Sequence, residues 1–346
     1  MKRGPGKAEH MNHFLASGAL SLTIALSGAA LAQTDDGFYA GRNLSVVVGF
    51  APGGSYDAYA RLLARHIGRH IPGEPTVIVQ NMPGAGSLTA VRNLDGNAAK
   101  DGTVIAAFNA GLITEAQTEP QRFNFRFSDL GWVGSMTRDF SVCYAWHGTN
   151  IKSLADAAKK PEFIIGGTAR GSSSSINSAI LSKMLNVRVR SILGYSGSAE
   201  SRLAVERGEL DGHCGSWVSI PRDWRSDNKI TPFIRFSATR LADMPDAATF
   251  VGDLVANDDD RAVLQFLLAA TEVGRPYVVS KQVPPARLAT LRAAFTKSMT
   301  DSDLLREAAK QGLPISSING LEAELLINSI YNAPPAIAAR AGEILK

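Results

Sequence analysis

The sequence predicts an α/β protein of two lobes, the second inserted into the first, with a ligand cleft between them. Three observations carry that prediction. Short apolar runs alternate with helix-spaced apolar patterns along most of the 346 residues, as parallel βαβ units require. Four of the strand-to-helix joints are rich in glycine and serine. The last third turns helical around a single strand candidate, so the chain has to leave the first lobe near 135–140 and come back near 240–250.

In chain order, strands are expected over 44–50, 76–80 and 103–108, with helices over 55–70 and 86–94. The middle offers strands over 140–146, 163–167, 189–193, 210–214 and 232–236, and helices over 153–159, 173–185 and 198–207. The C-terminal third reads as helices over 258–270, 285–298, 302–311 and 321–332, interrupted by a strand over 277–280. Helices are assigned where apolar residues recur at helical spacing, strands where the runs are short and unbroken. The lobes are then 33–137 with 248–346, and 138–247.

The N-terminus has a different character. Lys2, Arg3 and Lys7 precede an uncharged apolar run over 14–26, and Ala30-Leu31-Ala32 ends it with small residues before Gln33. That is the pattern of a signal peptide over 1–32, and the run is short for a bilayer span. Glu9, His10 and His13 lie close to it, which leaves both Met1 and Met11 open as starts. Without the leader the net charge falls from +4 to +2. The charges are scattered, which argues against nucleic acid or an anionic membrane surface as partner.

An exported chain with two cysteines is expected to bridge them. Cys143 and Cys214 each lie in a strand-like run, and a loop of about 70 residues closed this way gains roughly 4 kcal/mol in the chain-entropy model. A metal site from Cys214, His213 and His147 lacks zinc-like spacing, and none is expected. His66 and His70, four apart on one helix, read as solvated surface. Trp217, just beyond the 210–214 strand, is a candidate to face the cleft.

The chemistry is concentrated in the turns. Phe50-Ala51-Pro52-Gly53-Gly54-Ser55 leads from the first strand into a helix whose first turn holds Asp57. Unpaired N–H groups at such a junction suit an anion, with Ser55 as a cap whose hydroxyl turns to the ligand. Asp57 would hold a water, an amine or a hydroxyl. Asn81-Met82-Pro83-Gly84-Ala85-Gly86-Ser87 is the second such turn. It carries Thr89 where a dinucleotide fingerprint needs its third glycine, so no cofactor is expected. Gly167-Thr168-Ala169-Arg170-Gly171-Ser172 and Gly194-Tyr195-Ser196-Gly197-Ser198 are the third and fourth turns, in the inserted lobe. Arg170 could pair with a carboxylate there. No Gly-x-Ser-x-Gly window is present and no histidine is placed beside a turn serine, so a nucleophilic hydrolase is disfavoured.

The ordered set of turns resembles the periplasmic solute-binding proteins of tripartite tricarboxylate transporters, the Bug or TctC-like receptors. Phe50 through Asp57 followed by Arg61 resembles the family's first motif, with Gly49 where proline is usual. Val79 through Gly86 resembles the second, with Ser87 at its final glycine. Asp101-Gly102-Thr103, Gly194 through Ser198 and Gly208-Glu209-Leu210-Asp211 follow in order. The third turn departs, because Arg170-Gly171-Ser172-Ser173 stands where the family often has Gly-x-Gly-Ser and a histidine. The resemblance implies a two-lobed type II periplasmic-binding fold in a periplasmic, monomeric, non-enzymatic receptor. It implies capture of a small organic acid for the membrane permease subunits of a tripartite transporter. One carboxylate is expected against the amides of 52–55 and 84–87 with Ser55 and Ser87 assisting, and Thr168, Arg170, Ser172, Gly197 and Ser198 at its far end. A ligand-presenting partner of a receptor kinase and, further off, a secreted hydrolase are the alternatives.

Overall fold

Asn43–Val48 (β1) forms a strand buried on both faces, since Leu44, Val46 and Val48 are fully buried and Val47 nearly so. Such an unbroken apolar run suits the middle of a parallel sheet. The computed structural model describes Met1 and residues 37–346; the leader expected over 1–32 lies, Met1 apart, outside the described residues. From β1 the chain continues through α1 (Ser55–Ile67), β2 (Thr76–Asn81), α2 (Leu88–Gly96), β3 (Val104–Ala107), α3 (Gly111–Thr118) and β4 (Gly131–Ser135). It then builds the second lobe from β5 (Ser141–Trp146), α4 (Leu154–Lys159), β6 (Phe163–Gly167), α5 (Ser173–Met184) and β7 (Val189–Leu193). That lobe continues with α6 (Ser198–Glu206), β8 (Gly212–Ser216), α7 (Arg222–Ser226), β9 (Ile230–Arg235) and β10 (Thr249–Phe250). The return supplies α8 (Asp258–Ala269), β11 (Pro276–Val279), α9 (Pro285–Met299), α10 (Ser302–Gln311), β12 (Ile318–Asn319), α11 (Gly320–Tyr331) and α12 (Pro335–Leu345).

Each lobe is one six-stranded mixed sheet with helices against it, the two-lobed type II periplasmic-binding architecture. The first sheet runs β12-β4-β11-β3-β1-β2 and the second β10-β9-β5-β8-β6-β7. In the first, β1 pairs parallel with β2 and β3, while the returning β11 lies antiparallel between β3 and β4. In the second, β6 is parallel to β7 and β8, and β5 is antiparallel to β8 and β9. The strand β10 pairs with β9 in the second sheet, so that sheet extends past residue 247, where the inserted lobe was expected to end.

Several elements were not expected. The strand β4 is Gly-Trp-Val-Gly-Ser, and its two glycines read as a turn. They are there for space: a Cβ on Gly134 would lie 2.3 Å from the Phe295 ring, and one on Gly131 2.7 Å from Val279. The helix α12 opens on Pro334-Pro335, which reads as a stop, but proline is well suited to the first helical position. The helix α7 and the two-residue β10 and β12 are too short to announce themselves by periodicity, and α3 is buried from Gly111 through Ala116, which leaves no solvent-exposed face to mark a period.

One apolar core lies under α1 in the first lobe, with Tyr59, Leu62 and Leu63 fully buried. A second, around Tyr144, Trp217 and Trp224, belongs to the inserted lobe. A third joins Phe108 and Trp132 to Phe163 and Phe233 by way of α5, α8 and α12, and so ties the lobes together. Cys143 and Cys214 stand opposite one another on β5 and β8 and are disulfide-bonded. Two expectations are corrected. His66 is buried, its Nε2 2.7 Å from Glu307, and His70 lies 2.7 Å from Asp301, so both sit in the ion-paired seam between α1 and α10. Trp217 packs into the inserted lobe's core and its indole N–H donates to Asp243.

Candidate ligand site between the lobes

The first turn is shaped by the residues that follow it. Gly53 has φ +86°, a left-handed conformation natural to glycine. Its N–H donates to Asp57 Oδ2 at 3.1 Å, and Asp57 also accepts from Arg61 and from Asn81 Nδ2. Burial pushes the Asp57 carboxyl up, but those hydrogen bonds outweigh it and hold it below its usual range. Asn81 Nδ2 further donates to the Phe50 carbonyl. Asp57 and Asn81 are therefore spent on the turn and do not face the cleft. What the turn presents is Gly54 and Ser55, the start of α1.

Behind Ser55 stands a residue the sequence did not single out. Arg275, between α8 and β11, is 1% exposed. Its Nη1 donates to Gly274 O at 2.5 Å and reaches Asp139 Oδ1 at 3.4 Å; its Nη2 donates to Ser55 Oγ at 2.8 Å and Ser216 Oγ at 2.7 Å. The guanidinium lies over Tyr56, 4.4 Å from the ring centroid, and also faces Tyr59. Burial works against its charge, but Asp139 and the two phenols outweigh this and hold Arg275 above its ordinary range. Burial in turn pushes the Tyr56 phenol up to about 12. A charge this deep survives because it is paired and hydrogen-bonded.

The inserted lobe closes over this floor. Ser219 Oγ donates to Ser55 Oγ at 2.9 Å, Ala51 N to Ser196 O at 3.2 Å, and Ser173 Oγ to Asn109 Oδ1 at 2.8 Å. Arg202 on α6 reaches back to Gly53 O and also donates to Ser219 O and Ser198 Oγ. Between the lobes lies a cavity of about 80 Å³, and the N-termini of α1, α5 and α6 all contribute to its wall. Helix N-termini carry partial positive charge and unpaired amides. Three lining residues also hold buried polar atoms without a partner, Arg275 Nε, Thr168 Oγ1 and His213 Nδ1. Buried polar groups are nearly always satisfied, so these three mark a wall built for something polar. Burial, helped by Arg202, pushes His213 down to about 4, which keeps the imidazole neutral near pH 7.

The second turn opens elsewhere. Gly84, Ala85, Gly86 and Ser87 line a neighbouring cavity of about 270 Å³, which shares Phe50 and Thr168 with the first. Ser87 is fully buried and its Oγ accepts the Asn109 N–H at 2.7 Å, which ties it to the start of α3. Its position also accounts for the two departures from the family pattern. A Cβ on Gly49 would lie 2.2 Å from Ser87 Cβ. The side chain missing at 49 is the space that Ser87 fills.

The expected residues thus divide. Phe50, Gly54, Ser55, Thr168, Ser172 and Ser198 line the cavity between the lobes, and the second turn lines its neighbour. Ala51, Pro52, Gly53, Asp57, Asn81 and Gly197 hold the turns without lining either. Arg170 is turned away: its side chain is 54% exposed and 3.8 Å from Glu119. Ser172 caps α5 and accepts from the Ser175 N–H. Sequence reasoning missed Arg275, Asp139, His213, Ser216 and Ser219. The available signal was weak, an arginine directly before the lone strand of the helical third. Among the described residues no three metal-ligating side chains come together, and no helix is long and apolar enough to cross a membrane.

No protein-family model and no curated protein matches this sequence. Solved structures do match its fold. The periplasmic binding protein BugD is 19% identical with a TM-score of 0.71, over 88% of this chain and 98% of its own. MatC from Rhodopseudomonas palustris with bound malate is 20% identical, TM-score 0.70, over 88% and 99%. A second R. palustris protein, Rpa4515 with adipate, is 16% identical, TM-score 0.67, over 87% and 98%. At these identities the likeness establishes the fold.

Proposed function

We propose that this chain is a periplasmic, non-enzymatic receptor of the Bug or TctC type, which captures a small organic acid between its lobes for a tripartite-type permease. The observation that carries the reading is the cavity itself. It lies between the lobes, it is walled by three helix N-termini, and its floor is a buried guanidinium screened by two serine hydroxyls. The structural neighbours solved with bound malate and with adipate support a carboxylate as ligand. Catalysis has little to work with: His213 is the one lining imidazole, and no hydrogen bond joins it to a serine hydroxyl among the described residues.

A thermal-shift screen of the purified protein against small mono-, di- and tricarboxylates, amino acids and their amides tests this. A ligand at a hundred times its Kd adds about 2.7 kcal/mol of stability, and it should be recovered unchanged. Silence across the whole panel would remove the receptor reading. Loss of cellular uptake of the identified acid on deleting the gene, restored by the gene alone, would separate a transport receptor from a sensory one.

A further inference from the structure

Resting on the receptor reading, we infer that the cavity selects a compact monoanion with one carboxylate at Arg275 and an uncharged polar group at His213. Size comes first. A water needs roughly 10–15 Å³ on the scale of such cavities, so about 80 Å³ holds five to eight non-hydrogen atoms.

Charge comes next. Arg275 and Asp139 are the charged residues on the wall and face each other at 3.4 Å, so the side chains cancel. What remains is the helix N-termini, each equivalent to roughly half an elementary charge before screening. That favours one ionised group. Arg202 lies outside the wall and gives three of its N–H groups to Gly53 O, Ser219 O and Ser198 Oγ, so it offers the ligand its field, felt at His213, but no hydrogen bond from the wall.

The donors then decide orientation. Ser55 Oγ already accepts from Arg275 and from Ser219, so its own proton is left to give away. Ser216 Oγ accepts from the same Nη2, and Arg275 Nε–H has no partner. Ser55 and Ser216 are thus two hydroxyl donors for a carboxylate, both polarised by the guanidinium, whose own Nε–H is closed off from the cavity. Elsewhere in the wall the fully buried atoms without a hydrogen-bond partner are His213 Nδ1 and Thr168 Oγ1, both on neutral side chains. A second carboxylate beside them would lose its hydration with no cation in the wall to hydrogen-bond it, since Arg202 acts only from behind. A hydroxyl or amide meets them as an equal.

Isosteric pairs test this directly by calorimetry at pH 7: succinamate against succinate, and malonamate against malonate. The amide-acid of each pair should bind about tenfold or more tightly than the diacid, the scale of one charge-assisted hydrogen bond. Ser216→Ala should weaken both members in proportion, and Arg275→Lys more so. His213→Leu should weaken the amide-acid alone and bring the ratio towards one. A diacid bound as tightly as its amide overturns the selectivity while leaving a receptor standing, as does a ratio unmoved by His213→Leu. No binding by any member, nor by any other acid in the thermal-shift panel, removes both readings together.

Discussion

The turns at 53–55 and 84–87 read alike and end differently. Both follow a β-strand, both are rich in glycine and serine, and both open a helix. Ser55 backs onto Arg275, which donates to its oxygen and leaves its proton for the cavity. Ser87 backs onto Gly49 and onto the Asn109 N–H, which takes its oxygen. Both keep a proton to give; they differ in place, Ser55 on the guanidinium in the cavity between the lobes and Ser87 in its neighbour, filling the space left at Gly49. The same contrast separates two arginines. Arg170 sits in a Ser-rich turn that invites a ligand and points outward; Arg275 directly precedes the one strand expected in the helical third, where no glycine–serine pair marks the joint, and lies at the floor of the site.

The comparison breaks most visibly at the arginines. Arg275→Leu leaves Asp139 buried without its partner, which should cost about 3–5 kcal/mol, read from urea denaturation. Arg170→Ala should stay within about 0.5 kcal/mol and leave ligand affinity unchanged. A midpoint for Arg275→Leu equal to the parent's would mean the buried pair contributes nothing.

A second test uses pH. The folded imidazole of His213 protonates near 4 and the unfolded one near 6.5. As pH falls through that window the unfolded state takes the proton first, so stability should decline, by on the order of 3 kcal/mol in all. Asp57 and other carboxylates held low lose their contribution only below the unfolded carboxyl value of about 4, so the windows are distinct. Replacing His213 with glutamine should flatten the upper one; an unchanged slope would assign it to other groups.

The two turns are sharpened by a smaller effect. Gly49→Ala should overpack against Ser87 and cost about 1–3 kcal/mol. Ser87→Gly alone strands the Asn109 N–H and should cost a similar amount, about 1–3 kcal/mol. Together they should cost clearly less than their sum, because the second change makes room for the first. Strict additivity would dissolve the claim that these positions compensate. Ser55→Ala, by contrast, should act mainly on ligand affinity.

Short apolar runs were enough to give central strands such as β1, β5 and β11, because strands buried on both faces are apolar almost throughout, while the more exposed β2 and β7 and the Gly-containing β8 were placed by their position between helical patterns. Glycine and serine before a helical pattern were enough to locate the turns, because left-handed backbone and capping hydroxyls have few substitutes. The alternation of strand and helix patterns carried the two lobes, and the resemblance of the ordered turns carried the type II periplasmic-binding fold. What local pattern could not supply was depth and direction. The glycines of β4 look like a turn until Phe295 and Val279 are packed against them. Arg275, Asp139 and Ser216 are far apart in the chain and acquire meaning only when the two lobes meet. A charged side chain's role depends on which groups desolvate and pair with it, and those groups are brought together by the fold.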